Sequence, residues 1–312
     1  MIQVPEAFIR STTEREGAAG ARWLAALPEL AARLLRRWEC VLDGPVMHGG
    51  VGVIVPVLHD QCAAVVKVSF PHPGNVAEPD AFVAWGGHGA VRLYAREDAC
   101  FAMLLERAGA HTLAQLPDTD EIARIAGRLN RRLAVPAPPG LPRLCERATE
   151  WDASLCKDAE EFADALPRRV VDAAVATVRE IGRDQPEVMV HGDFHPRNVL
   201  SAEREPWLAV DPKGYVGDPA YDGGTLLRTL VYALLEEDDL DKAVLRSLDV
   251  FAEAAELDRE RVRRWAQFHA VDAVFWGRRH EIRRHDSRRH RIDSAGSGPA
   301  PHLPEHLAQL LA

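Results

Sequence analysis

The chain has 312 residues, is 47% hydrophobic and 27% charged, and carries a formal net charge of −9. That length and apolar content suffice for two lobes with a sizeable core, while the acidic balance argues against nucleic acid and suits a small cationic substrate. Five cysteines (Cys40, Cys62, Cys100, Cys145 and Cys156) lack CxxC pairing, so neither a disulfide framework nor a zinc site is expected.

The first residues, MIQVPEAFIRSTTERE, lack a basic stretch followed by an apolar one, so no signal peptide is read there. No apolar run approaches the roughly 20 residues of a membrane span. A soluble, cytoplasmic protein is expected, with its oligomeric state left open.

Residues 13–38 repeat apolar side chains at helical spacing, among them Trp23, Leu27, Leu30, Leu34 and Trp38, which predicts a helix. Val51–Leu58 and Ala63–Phe70 are apolar and β-branched around the polar turn His59-Asp60-Gln61, the pattern of a strand pair. A helix is predicted over Asn75–Trp85 and further strands over Val91–Ala95 and Cys100–Leu105, with a crossing point between Leu105 and Thr112. The proline-rich Val135–Pro142 reads as a loop. Helices are predicted near 119–133, 158–182, 219–236, 240–255 and 259–284, interrupted by a β-like island at 188–210. A strand-rich first third before a helix-rich remainder argues for two lobes with a cleft between them.

The β-like island and its sequel carry the chemistry. HGDFHPRNVL at 191–200 and LAVDPKGYVGDPAYD at 208–222 place Asp193, Asn198 and Asp211 on neighbouring loops. Phosphoryl transfer uses such a trio, one carboxylate for the hydroxyl nucleophile and two oxygen donors for Mg²⁺. Asp193 is the candidate base. Asn198 follows it by five residues, the spacing of the protein-kinase catalytic loop. Asp211 ends an apolar run and is the charged Mg²⁺ ligand. His191 and His195 are read as structural. Asp218 is expected to cap the following helix, and Asp222 to brace the catalytic loop.

Upstream, Lys67 lies in the apolar strand AAVVKVSF, where a lysine is costly without a partner. Glu78 is the nearest downstream acid in a predicted helix and is chosen as that partner, beside a nucleotide phosphate. The turn His48-Gly49-Gly50-Val51-Gly52 could bring backbone close to phosphate, with Gly50 as the contact; a plain tight turn is the alternative. The Arg-Arg-His units at 278–280, 283–285 and 288–290 do not align on one helical face and read as a solvated basic segment.

These residues resemble the aminoglycoside phosphotransferase family, nearest its streptomycin 6-phosphotransferase and hydroxyurea phosphotransferase branch. The segments carrying the resemblance are HGDFHPRNVL, EREPWLAVDPKGYVGDPAYD, LDGPVMHGGVGVIVPV, AAVVKVSF, GHGAVRLYARED and CFAMLLERA, spread across most of 38–235. The resemblance implies an α+β, protein-kinase-like fold, with a β-rich N-lobe over 1–107 and a mainly helical C-lobe over 108–312. It implies ATP and Mg²⁺ as cofactors, with adenine bonding backbone near Leu105 and Arg107. It implies phosphorylation of a hydroxyl on a small cationic substrate, an aminoglycoside such as streptomycin. Streptomycin carries guanidinium groups, so acids are sought for it: Glu146, Glu150 and Asp152 in the loop after the proline-rich stretch, or Glu236–Asp239. The rival readings are a kinase of hydroxyurea, an amino alcohol or a sugar, and a nucleotide-binding pseudokinase acting through a partner.

Overall fold

The structure, a computed structural model, describes residues 2–288 and 302–312. Helix α1 (Glu6–Arg37) precedes strands β1 (Val41–Leu42), β2 (Met47–His48), β3 (Gly52–His59) and β4 (Cys62–Ser69). Helix α2 (Glu78–Trp85) then leads into β5 (Leu93–Glu97) and β6 (Ala102–Glu106). Next come α3 (Thr119–Leu133), α4 (Leu144–Glu161) and α5 (Arg168–Glu180), and four short strands, β7 (Met189–Val190), β8 (Val199–Ser201), β9 (Trp207–Ala209) and β10 (Tyr215–Val216). Helices α6 (Ala220–Leu230), α7 (Leu240–Ala255), α8 (Arg259–Arg288) and α9 (Leu303–Leu310) complete the chain. Among the described residues, no helix is long and apolar enough to cross a membrane.

Two compact units result. The first joins Met1–His111 to Leu200–Lys213; the second joins Thr112–Val199 to Gly214–Ala312. The residues after β6 thus divide between the two units, because 200–213 fold back onto the first.

In the first unit β1, β3, β4, β6 and β5 lie side by side in an antiparallel sheet, and β2 also pairs with β3. Asp60 and Gln61 both take positive φ (49° and 64°) between the paired His59 and Cys62, as a two-residue hairpin turn requires. Side chains alternate across a strand. Ala64, Val66 and Val68 of β4 join Val53, Val55 and Val57 of β3 in a core closed by Leu27, Ala31 and Leu34 of α1. Lys67 therefore falls on the opposite face of the strand. Helix α1 begins earlier than the sequence periodicity predicts, and it is interrupted at Gly17, whose φ of 58° breaks the helical run.

The second unit is helical around the antiparallel pair β7 and β10, in which Val190 faces Tyr215 and Met189 faces Val216. Helix α3 packs on α7, α6 on α8, and α5 on α8. Gly127 permits the first contact, since a Cβ there would lie 2.7 Å from the Phe251 carbonyl oxygen. Asp118 starts α3 by accepting the Asp120 and Glu121 N–H groups at 2.9 and 3.2 Å.

Several expected boundaries move. The helix read over 158–182 is two helices: α4 ends at Glu161 and α5 begins at Arg168 behind Pro167, which cannot continue a helix. Helix α4 also starts at Leu144, so Glu146, Glu150 and Asp152 lie on a helix and not in a loop. The helix read over 219–236 ends at Leu230, followed by a short 3₁₀ turn over Ala233–Glu236. The third Arg-Arg-His unit, 288–290, extends outside the described residues.

Candidate active site

Lys67 stands in the centre of the sheet, paired in register with Ile54 on one side and Met103 on the other. Its ammonium donates to Glu78 Oε1 at 2.5 Å and to Asp211 Oδ1. The Lys67 side chain is 9% exposed and that of Glu78 1%. Glu78 is the first residue of α2, and Pro79 follows at the second position, where its missing N–H costs nothing. The sequence pair Lys67 and Glu78 is thus brought together, and Asp211 joins it from 144 residues away.

Burial alone would lower the Lys67 pKa, but the two carboxylates outweigh it and the ammonium is held above its usual value. Glu78 is pushed up, chiefly by burial, against the pull of Lys67. Asp211 follows β9 with φ at 62°, in the left-handed region that a non-glycine residue adopts at a cost of about 1–3 kcal/mol. The hydrogen bond to Lys67 and the docking of β9 hold it there. That docking is explicit: Ala209 N–H donates to the Gly89 carbonyl at 2.9 Å, and Val91 N–H to the Ala209 carbonyl at 3.2 Å.

The glycine-rich turn connects β2 to β3 and closes with Gly49 N–H on the Gly52 carbonyl at 2.9 Å. Open space surrounds the positions a Cβ would take at Gly49 and Gly50. At Gly52 a Cβ would meet Ser69 Oγ and the Val68 carbonyl, each at 2.8 Å. The glycine that packing requires is therefore Gly52. Gly50 offers backbone only, and its carbonyl accepts from Arg15 at 3.0 Å. Leu105 is buried in β6, paired with Val65 and Leu93. Arg107 donates its N–H to the Ala63 carbonyl at 3.4 Å, and its guanidinium holds Asp43.

In the second unit, the loop after β7 carries Asp193 and Asn198. Asp222, at the start of α6, accepts the N–H of His191 on one carboxylate oxygen and that of Gly192 on the other, both at 2.8 Å. Thr225 Oγ1, one turn along, donates to the Phe194 carbonyl at 3.0 Å. His191 is fully buried, and its Nδ1 accepts the Asp193 N–H at 3.3 Å. Asn198 donates its amide to the Asp193 carbonyl at 3.0 Å, so the group it can offer a cation is its carbonyl oxygen. The Asp193 carboxylate, 32% exposed, lies 3.9 Å from His195 Nε2. Burial pushes the Asp222 carboxyl up to about 7, although the two backbone N–H groups pull it down.

Helix α6 is itself anchored. Asp218 caps it through Ala220 N–H at 3.0 Å and also accepts from Arg261 and the Trp265 indole of α8, at 2.6 and 2.9 Å. Asn130 of α3 reaches the Pro219 carbonyl at 3.2 Å and Asp222 at 3.5 Å. Sequence reasoning missed Asn130; its signal was a polar residue on the apolar face formed by Ile122, Ala126, Leu129 and Leu133. Of the acids sought for a cationic substrate, Asp152 is occupied by Arg179 and Arg183 and is 15% exposed. Glu146 turns back toward its own helix start, within 3.5 Å of the Arg143 N–H.

The Asp211 carboxylate of the first unit and the Asn198 amide oxygen of the second are each donors of the hard type that magnesium prefers. Among the described residues no group of three or more His, Cys, Asp or Glu could form a protein-only metal cage. The five cysteines are free.

A family model described as aminoglycoside/hydroxyurea antibiotic resistance kinase matches residues 37–280. A streptomycin 6-kinase of Streptomyces griseus is 37% identical over 278 residues, 88% of this chain and 91% of that protein. A hydroxyurea phosphotransferase of Kitasatospora aureofaciens is 35% identical over 282 residues, 88% of this chain and 80% of that protein. The crystal structure of a spectinomycin phosphotransferase in complex with ADP and spectinomycin superposes with a TM-score of 0.51 at 11% identity, covering 91% of this chain and 97% of that one.

Proposed function

This chain belongs to the aminoglycoside/hydroxyurea antibiotic resistance kinase family, and on that premise we propose that it transfers the terminal phosphoryl group of ATP to a hydroxyl of streptomycin. The observation that carries the substrate is the 37% identity to a streptomycin 6-kinase across nearly the whole of both chains. The catalytic reading is supported by Asp222, which grips the loop before Asp193 through two backbone N–H groups.

Asp193 accepts the proton of the attacking hydroxyl as its oxygen bonds the γ-phosphorus and the bond from that phosphorus to the β,γ-bridging oxygen breaks, the electron pair leaving on ADP. A base held in place contributes about 10²–10⁴ in rate. Lys67 turns its ammonium to the nucleotide phosphates, and Glu78 keeps that ammonium charged and aimed. Backbone near Leu105 and Arg107 takes the adenine, and the turn at Gly50 approaches the phosphates. Asp211 and Asn198 would hold Mg²⁺, whose charge offsets that of the phosphate oxygens. Positioning and charge neutralisation thus supply most of the rate, with no covalent enzyme intermediate.

The test is ADP release by the purified chain with streptomycin, with mass spectrometry of the antibiotic to detect one added phosphoryl group. Turnover dependent on streptomycin is expected, and its absence across a panel of aminoglycosides would refute the substrate. A second reading, phosphorylation of hydroxyurea, is favoured by the 35% identity to a hydroxyurea phosphotransferase and is decided in the same panel.

A further inference from the structure

Arg204 lies in the turn between β8 and β9, inside the segment EREPWLAVDPKGYVGDPAYD, and the sequence gives it no role of its own. Its guanidinium is 22% exposed, yet it joins separated stretches of the first unit. Nε and Nη2 reach the two carboxylate oxygens of Glu106 at 3.0 and 2.8 Å. Nη1 donates to the Gly87 carbonyl at 2.6 Å, and Nη2 to the Ala90 carbonyl at 3.0 Å. Glu106 also accepts the Arg92 N–H at 3.0 Å. A planar fork is required for this set, because a lysine ammonium cannot present two parallel donors to a carboxylate while reaching two carbonyls.

The position of these partners matters more than their number. Glu106 ends β6 between Leu105 and Arg107, the residues assigned above to adenine. Gly87 and Ala90 flank Gly89, whose carbonyl docks β9, and β9 runs directly into Asp211. We propose that Arg204 is a positioning residue for the nucleotide: it fastens the adenine segment and the strand carrying Asp211 to each other. The proposal rests on the reading of the first unit as the ATP site. A merely structural pin would move stability and leave nucleotide affinity alone.

The experiment is titration calorimetry of Mg·ADP binding to the full chain, with thermal melting measured alongside; neither needs an antibiotic. Arg204→Ala is expected to weaken ADP about tenfold, the scale of a charge-assisted fork discounted for partial exposure. Arg204→Lys should recover only part of that affinity. Glu106→Gln should weaken ADP by itself and add little to Arg204→Ala, since both remove one clamp. Arg33→Ala, which breaks the pair with Glu97 on the same sheet, should retain wild-type affinity. ADP affinity within twofold of wild type in Arg204→Ala would overturn the proposal, as would an equal loss in Arg33→Ala. Should Arg204→Ala fail to fold, wild-type affinity in Glu106→Gln overturns it. A wild type that does not bind ADP overturns it together with the ATP reading. ADP binding without turnover of streptomycin overturns only the substrate assignment.

Discussion

Asp222→Asn exchanges one oxygen for nitrogen and tests the brace on the loop that carries Asp193. In the wild type each carboxylate oxygen accepts one backbone N–H at 2.8 Å, and the residue is 1% exposed. Asparagine keeps one acceptor and turns an NH₂ group against the other donor. A charge-assisted bond is lost and a buried N–H is left without an acceptor, a cost of about 2–4 kcal/mol in all. Chemical denaturation should show that loss, and kcat should fall because the Asp193 loop is no longer held. The pH dependence is sharper. Burial pushes the carboxyl up to about 7 in the folded protein, against an ordinary aspartate value of 3.8. Its folded value is the raised one, so its contribution to stability is complete below 3.8 and lost as pH rises through about 7. The variant cannot titrate there. The stability gap between wild type and Asp222→Asn should therefore widen as pH falls from 8 to 5, by up to about 1.4 kcal/mol per pH unit within the window. Activity should run the opposite way, with wild-type kcat dropping below about pH 7 as one acceptor oxygen takes a proton. A gap that stays constant from pH 5 to 8, or a variant with wild-type stability and kcat, would refute the reasoning.

Three further outcomes are expected. Asp193→Asn should lower kcat about 10²–10⁴-fold while Mg·ADP affinity, read by calorimetry, stays at the wild-type value. Lys67→Met leaves Glu78 buried without its cation and should cost about 3–5 kcal/mol in denaturant unfolding, together with a rise in the Michaelis constant for ATP; unchanged stability would count against the buried pair. Gly52→Ala forces a Cβ to within 2.8 Å of Ser69 Oγ and the Val68 carbonyl and should destabilise by about 1–3 kcal/mol, whereas Gly50→Ala, surrounded by open space, should melt as the wild type does.

The legible parts of this fold are those where one local rule acts alone. The β3–β4 pair, its turn and Lys67 could be read because alternation, β-branching and a misplaced charge coincide within a few residues. Helices α3 and α7 match their expected spans, 119–133 and 240–255, because Asp118 and Asp239 cap them ahead of clear periodicity. Helix α4 escaped because a proline-rich stretch precedes it and Pro167 was not read as a break. The pairing of Lys67 with Glu78 could be inferred from the cost of burying charge, and the support of Asp222 from its place on the next helix. Asn130 and Arg204 could not be found in that way. Apart from Glu205, next to Arg204 in the chain, their partners lie 89 to 117 residues away; the polar break in the apolar face at Asn130 marks the residue but not its partner.

The hairpin of residues 200–213 constrains how the gene can be cut. Translation stopped after residue 111 would yield a sheet in which Gly89 and Val91 lack the strand that engages them and Glu106 lacks its guanidinium. The complementary polypeptide would carry that strand away from its seat. Neither half is a self-sufficient module, so recombination that grafts a new second unit onto this first one succeeds only if the transferred piece spares, or returns, those fourteen residues.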